Sequence, residues 1–330
     1  MIYIGIDVSK HKFDIAWLRD ASRGKVKTKT FKNQVSNFGP IGDWRVNKTG
    51  ASPESILITV EPTSTYHENL IHHLHDQGFQ IFLANPGNAR KHAQAMGSTH
   101  KTDKADSVML ARFGMHQDSA GNLTLWEPEP PEARHLQDML RRLDALEQDR
   151  QRQLNQREAY EQAGSSASVL DSIDRIIAAF DQAIDELRAA IDDHIDKHPQ
   201  LKHNRELIKS IQGVGDVTAR ELTSLFAAKQ FRNARQASAY LGLIPGQAES
   251  GQFKGQTRLT KTGPSRIRAK LYMAAVAAGT HNPDIRAQKL RLRGQGKTPM
   301  QALGAAMRKL VQICFGVVQH QQVYQPQVAT

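Results

Sequence analysis

At 330 residues the chain is long enough for two or three domains with a substantial core. Its 44 Lys/Arg against 33 Asp/Glu give a net charge of +11, which favours a polyanionic partner; no apolar run approaches the roughly 20 residues of a membrane-spanning helix, so a membrane partner is not expected. The single Cys314 excludes an internal disulfide or a multi-cysteine zinc site, fits a reducing cytoplasm, and in its apolar helical setting reads as a small buried hydrophobe.

The charge divides the chain into three regions. Residues 1–125 carry 15 Lys/Arg against 11 Asp/Glu, residues 126–200 carry 9 against 17, and residues 201–330 carry 20 against 5, a net +15. An acidic middle and a strongly basic last third predict three different physical roles.

The first region reads as α/β. Ile2, Ile4 and Ile6 alternate with Tyr3, Gly5 and Asp7, the pattern of a strand, and the run is too short for a signal-peptide core. Phe13–Leu18 is a second strand and Val26–Phe31 a third, more polar one suited to a sheet edge. Ser55–Val60 is a continuous, mostly β-branched run, as in a strand buried on both faces, and Glu61 ends it. A helix from about Tyr66 stops near Gly78; Phe79–Ala84 is a further strand, and a helix begins near Asp103. This order predicts a ribonuclease H fold.

The middle is helical. Leu136, Leu140 and Leu143 open an amphipathic helix that runs to about Gln162, where Gly164-Ser165-Ser166 interrupts it. Ile173, Ile177, Phe180, Ile184, Leu187 and Ile191 then repeat at alternating steps of four and three, a coiled-coil seam for an antiparallel partner in the chain or for a second subunit, with the subunit contact preferred. In the last region Ile211-Gln212-Gly213-Val214-Gly215-Asp216 joins two helical patterns, a turn like a helix-hairpin-helix, whose backbone N–H groups suit a phosphate. Residues 246–264 read as loop, and Arg266–Ala278 and Met300–Gln319 as closing helices.

Four acids suit a divalent metal site. Asp7 ends the first strand, Glu61 ends the strand expected beside it, and Asp103 and Asp106 are three apart, so they share one face of a helix. Carboxylates are the hard oxygen ligands that Mg²⁺ takes, and two ions roughly 4 Å apart serve phosphodiester chemistry. Taken alone, Asp103 and Asp106 read first as ordinary first-turn acids behind a Thr102 cap; only the four together favour the metal site. His11, His67, His72, His73 and His75 read as surface or core residues rather than ligands.

Ile4-Gly5-Ile6-Asp7, Val60-Glu61-Pro62-Thr63-Ser64-Thr65-Tyr66 and Lys101-Thr102-Asp103-Lys104-Ala105-Asp106 resemble the DEDD transposases of the insertion-sequence "one-ten" family, which are bridge-RNA-guided DNA recombinases with the Piv invertases as relatives. Ile211–Gly215, Tyr240–Pro245 and Glu249-Ser250-Gly251 continue the resemblance over nearly the whole chain. It implies a RuvC-like domain over residues 1–125 with Asp7, Glu61, Asp103 and Asp106 as metal ligands, a pair of Mg²⁺ ions being its cofactor, a coiled coil for oligomerisation over 126–200, and a mainly α-helical transposase domain over 201–330. Ser250 would be the nucleophile, forming a phosphoserine intermediate in an active site shared between protomers of a dimer or tetramer. A structured RNA from the element would pair with target and donor DNA, and the protein would work in the bacterial cytosol, associated with the nucleoid.

Without the family, Ser250 is a loop serine; its support is the run of cations that follows, Lys254, Arg258, Lys261, Arg266, Arg268 and Lys270, which with Gly213 and Gly215 are the expected nucleic-acid contacts. Tyr240, Tyr272 and Tyr324 are alternative nucleophiles in principle, but apolar neighbours make Tyr240 and Tyr272 expected core residues. Val8-Ser9-Lys10 lacks the glycine turn of an actin-like ATPase. The remaining rivals are a protein-only invertase of the Piv type, a RuvC-like nuclease that uses water, and a non-catalytic nucleic-acid scaffold.

Overall fold

The computed structural model describes residues 1–20, 25–39, 41, 50–62, 64–97, 102–246, 249–250, 253–254 and 258–327; for Glu249, Ser250, Phe253 and Lys254 it describes the backbone alone. Thr63, Lys101 and Gly251, which belong to the sequence motifs, lie outside the described residues. The chain divides into two compact units, Met1–Pro128 and Glu129–Thr330.

The first unit is built on a mixed five-stranded sheet. Its strands are β1 (Ile2–Val8), β2 (Lys12–Asp20), β3 (Lys25–Lys32), β4 (Ile56–Val60) and β5 (Gln80–Leu83), in the order β3-β2-β1-β4-β5. β1 pairs antiparallel with β2 and parallel with β4, β2 pairs antiparallel with β3, and β4 pairs parallel with β5. Every residue of β4 is buried, as its unbroken apolar run requires of a strand covered on both faces. The polar β3 takes the edge, where its lysines keep an unpaired strand soluble. Between β3 and β4, where the expected order places a helix, residues 40 and 42–49 lie outside the described residues, and the described remainder holds one-turn 3-10 helices at Val35–Asn37 and Pro53–Ser55.

Three helices follow: α1 (Glu68–Asp76), α2 (Pro86–Ala95) and α3 (Asp103–Ser119). Gly78 takes φ +86° just past α1, the left-handed turn that a glycine gives at little cost. The sequence reading passes over α2; Asn85, whose side chain accepts from the Asn88 N–H, caps it, and Pro86 takes its first position. One sheet face buries Ile4, Ile6, Phe13, Ile15, Ile58 and Val60 with Leu70, Ile71 and Leu74 of α1; the other buries Leu57 and Phe82 with Leu110 and Phe113 of α3.

The second unit is almost wholly helical. α4 (Pro131–Gln162) and α5 (Ala167–Lys197) form a long antiparallel hairpin, with Gly164 at φ +70° in its turn. Leu136, Leu140, Leu143 and Leu146 of α4 pack on Ile184, Ile191 and Ile195 of α5, so the apolar seam of α5 finds a partner within the chain. Arg157 reaches Asp174 at 2.6 Å and Arg188 reaches Glu147 at 2.8 Å across the hairpin. The bundle that follows comprises α6 (Pro199–Lys209), α7 (Asp216–Ala228), α8 (Ala234–Tyr240), α9 (Ser265–His281), α10 (Pro283–Gly294) and α11 (Pro299–His320). α10 goes unread in the sequence. The expected loop over 246–264 contains short paired strands instead: β6 (Pro245–Gly246) with β9 (Arg258–Leu259), and β7 (Glu249–Ser250) with β8 (Phe253–Lys254). Cys314 is fully buried, and burial pushes its thiol pKa up, as expected of an inert core residue. Among the described residues no helix is long and apolar enough to cross a membrane.

Candidate active site

The alternation of β1 puts Tyr3, Gly5 and Asp7 on one face, and α3 lies along that face. Gly5 allows it to do so: a Cβ there would drive into the Ser107 carbonyl oxygen and the Ala111 backbone nitrogen. Gly114 does the same from the helix side, where a Cβ would collide with Thr59 Oγ1 of β4. Tyr3 fixes the far end of the helix by donating its hydroxyl proton to Asp118 Oδ2 at 2.7 Å; burial and that carboxylate push the phenol pKa up to about 12. With α3 laid antiparallel on β1, its N-terminus arrives at the Asp7 end of the strand.

Thr102 caps α3, accepting from the Ala105 N–H at 3.2 Å, so Asp103 and Asp106 are indeed first-turn acids. That local role does not remove them from the site. Asp7 is pushed up to about 6, first by burial and then by repulsion from Asp106, Asp103, Glu61 and Asp14, in that order. Glu61 arrives because β4, which it directly follows, pairs in parallel with β1. The four acids named from the sequence thus share one field.

Asp14, a fifth acid, is missed by the sequence reading. It faces Asp7 directly in the β1–β2 register, is 3% exposed, and accepts hydrogen bonds from Thr30 and from Lys12, the latter at 3.3 Å. Its signal was present as the one acid inside the apolar run Phe13-Asp14-Ile15-Ala16-Trp17. Lys12 also reaches Asp103 at 2.7 Å, so one ammonium joins the buried Asp14 to the first turn of α3. Hard oxygen donors on three strands and a helix start fit a divalent cation by their chemistry. Among the described residues, no three acidic, histidine or cysteine side chains stand close enough to share one ion.

Ser250 lies in the second unit on β7, where its backbone pairs with Phe253, in the neighbourhood expected for Lys254. Arg258 and Lys261 are exposed. Arg266 and Lys270 both pair with Glu221, which is 1% exposed, the latter at 2.6 Å. Arg268 donates to the backbone carbonyls of Leu241, Thr262 and Gly263, tying the turn before α9. Gly213, at φ +91°, sits against the backbone of Ala278, so its missing side chain serves close packing on α9; Gly215 is exposed at the start of α7, where Asp216 pairs with Lys209. Tyr240 and Tyr272, expected in the core, are each 38% exposed, whereas the Tyr324 hydroxyl is held by Asp284 at 2.7 Å.

A family model described as a transposase, of the DEDD class of IS110, matches residues 4–160, and a second, described as the transposase of the IS116/IS110/IS902 family, matches residues 205–289. The chain belongs to the IS110 transposase family. The stretches that define this IS110 transposase contain all four acids in the first and Ser250 with its cations in the second. Pilin gene-inverting proteins of Moraxella bovis and Moraxella lacunata are each 27% identical to it over 331 residues, which is 99% of this chain and 98% of theirs. An uncharacterized 42 kDa protein of insertion element IS900 from Mycobacterium paratuberculosis is 23% identical over 50% of the chain and 41% of its own length. A solved Thermus thermophilus RuvC structure overlays 38% of the chain at 10% identity with a TM-score of 0.29, an overlap too low to carry an argument.

Proposed function

We propose that this IS110 transposase is a metal-dependent DNA recombinase whose N-terminal unit is a RuvC-like ribonuclease H domain and whose nucleophile is Ser250. The observation that carries the reading is that Glu61, directly after β4, and the first turn of α3 with Asp103 and Asp106 stand at the Asp7 end of β1, in a strand order that matches the ribonuclease H arrangement. Asp7, Glu61, Asp103 and Asp106 would hold the divalent cations, with Mg²⁺ the chemical match. Bound there, the cations supply Lewis-acid stabilisation of charge on the scissile phosphate. Ser250 gives up its proton and attacks phosphorus as a P–O bond to the sugar breaks, leaving a phosphoserine and a sugar hydroxyl. Attack by a hydroxyl of the second DNA reverses the step and frees the serine. Arg258 in β9 and Lys261 just beyond it, both exposed, are suited to hold the DNA backbone.

In the same reading an element-encoded RNA pairs with donor and target DNA, and the protein contributes backbone contacts, to which the net +15 of residues 201–330 is suited. A protein-only inversion is the second reading, favoured by the near full-length similarity to pilin gene-inverting proteins. Two measurements test this. Wild-type protein with Mg²⁺, its copurifying RNA and element-end DNA should form a covalent protein–DNA adduct that Ser250→Ala abolishes together with cleavage; cutting that survives in Ser250→Ala means a nuclease that uses water. Sequencing RNA that copurifies from cells should show enrichment of a transcript flanking the coding sequence. Recombination by RNA-free protein would favour inversion by protein alone.

A further inference from the structure

We infer that Lys12 is a resident counter-ion of the carboxylate site, anchored on the buried Asp14 and lying across Asp103 in the position that a divalent cation must contest. The inference rests on the proposed reading of Asp7, Glu61, Asp103 and Asp106 as metal ligands.

An exposed lysine beside an exposed aspartate is ordinarily a surface pair of small consequence. Three observations set this one apart. Lys12 reaches two carboxylates, Asp14 at 3.3 Å and Asp103 at 2.7 Å, from two different elements. Of these, Asp14 is fixed: its side chain is 4% exposed and also accepts the Thr30 hydroxyl, so the ammonium is held at a defined place rather than swinging freely. Asp14 is also the register partner of Asp7, which puts this anchor within the field of the site and not beside it.

The buried Asp14, opposite Asp7, adds repulsion that a bare site would have to bear. Lys12 supplies the compensating charge, and its pairing with Asp103 steadies the first turn of α3 before any cation arrives. The same pairing competes with ligation, because an Asp103 oxygen that accepts from the ammonium is not free to face a metal ion. Divalent binding then requires Lys12 to release Asp103 while keeping Asp14. The released ammonium remains at the rim of the site, where a phosphodiester is the acceptor it meets next. Lys12 is thus a positioning residue for Asp103, and loading of the site with cation is held back until the ammonium is redirected.

The test is Mn²⁺ binding to the full-length protein without nucleic acid, followed by concentration-dependent thermal stabilisation and by the loss of the free-ion paramagnetic resonance signal. Removing a unit positive charge a few ångströms from the ion, in a partly solvated site, strengthens binding about 3- to 10-fold. Lys12→Met should therefore bind Mn²⁺ tighter by that factor, and Lys12→Arg should stay within about 2-fold of wild type because its charge is kept. Lys25→Met removes an equal charge at the opposite end of the β2–β3 hairpin and should leave the affinity unchanged. Because Lys12 is exposed, its variants should fold, and circular dichroism would check this. If wild type binds Mn²⁺ in an Asp7-dependent way and Lys12→Met binds no tighter, or Lys25→Met gains as much, the counter-ion role is overturned while the metal site stands. If wild type shows no Mn²⁺ binding that Asp7→Asn removes, the metal-site reading fails, and this inference falls with it.

Discussion

Asp7 occupies a position that disfavours its own charge. Burial and four neighbouring acids hold it up to about 6, against an ordinary value of 3.8, so the folded protein prefers the neutral carboxyl. The stability this preference contributes is fully present below pH 3.8 and is lost as pH rises through about 6. At neutral pH the metal-free fold therefore bears a penalty of about 1–2 kcal/mol once solvent screening is allowed for. Asp7→Asn removes the titrating group, so in the presence of chelator it should melt a few degrees above wild type at pH 7.5 and level with it at pH 4. Added Mn²⁺ should raise the melting temperature of wild type and leave the variant unmoved. Equal melting of the two proteins at pH 7.5 would show that Asp7 carries no such burden. Asp7 and Glu61 were legible as acids closing apolar strands, and Asp103 and Asp106 as a helical pair. Asp14 was not, because an acid within a strand shows its importance only when the register puts it opposite Asp7. Lys12 was equally hidden, since no spacing rule links residue 12 to residue 103.

The unit that delivers these acids is a strand and a helix pressed together. β1 and α3 approach closely because Gly5 and Gly114 carry no side chains at the crossing. Gly5→Ala would force α3 away from the sheet at Ser107 and Ala111, at a cost of about 1–3 kcal/mol for the overpacking. The larger effect is geometric: Asp103 and Asp106 sit one turn from the contact and move with the helix. We expect Gly5→Ala to lose adduct formation by at least about 100-fold while remaining folded, since a displacement of about 1 Å at reacting groups costs that much. A variant that keeps wild-type activity would show that α3 can shift without moving its acids. Element by element, hydrophobic pattern foretold what hydrophobic pattern can. β1 to β5, α1 and the long helices α4 and α5 follow from alternation, from β-branched runs and from apolar spacing, but the seam of α5, read first as a subunit contact, packs on α4 of the same chain. α2 is short and mostly polar, so only its Asn85 cap and Pro86 announce it. The small strands between residues 245 and 259 are two residues long, below what any periodicity reveals. Tyr240 and Tyr272 were misplaced because apolar neighbours in sequence do not fix which helix face meets the core. Arg266, Arg268 and Lys270 read as a basic run, yet Glu221 and three backbone carbonyls engage them, partners that only the folded bundle brings near.

At the scale of the whole molecule, the carboxylates belong to the first unit and Ser250 to the second, which leaves open which chain supplies each half of a working site. The family resemblance implies a composite site, with the carboxylates of one protomer acting beside the serine of another. That arrangement has a consequence that a site made within one chain lacks. Mix Asp7→Asn with Ser250→Ala, each inactive alone. In a mixed dimer with composite sites, one site receives both substitutions and the other receives neither. Random exchange of subunits then restores about a quarter of the wild-type sites, because half the dimers are mixed and one site in two is intact. If each chain completes its own site, every site in the mixture carries one substitution and no activity returns. The measurement is covalent adduct formation on labelled DNA, because a single intact site suffices for it, whereas strand exchange between two DNA molecules can demand more than one. The adduct should form only on the subunit that retains Ser250, the Asp7→Asn chain, which a size tag on one variant would reveal. An adduct absent from the mixture, with subunit exchange verified by the tags, would assign catalysis to the single chain.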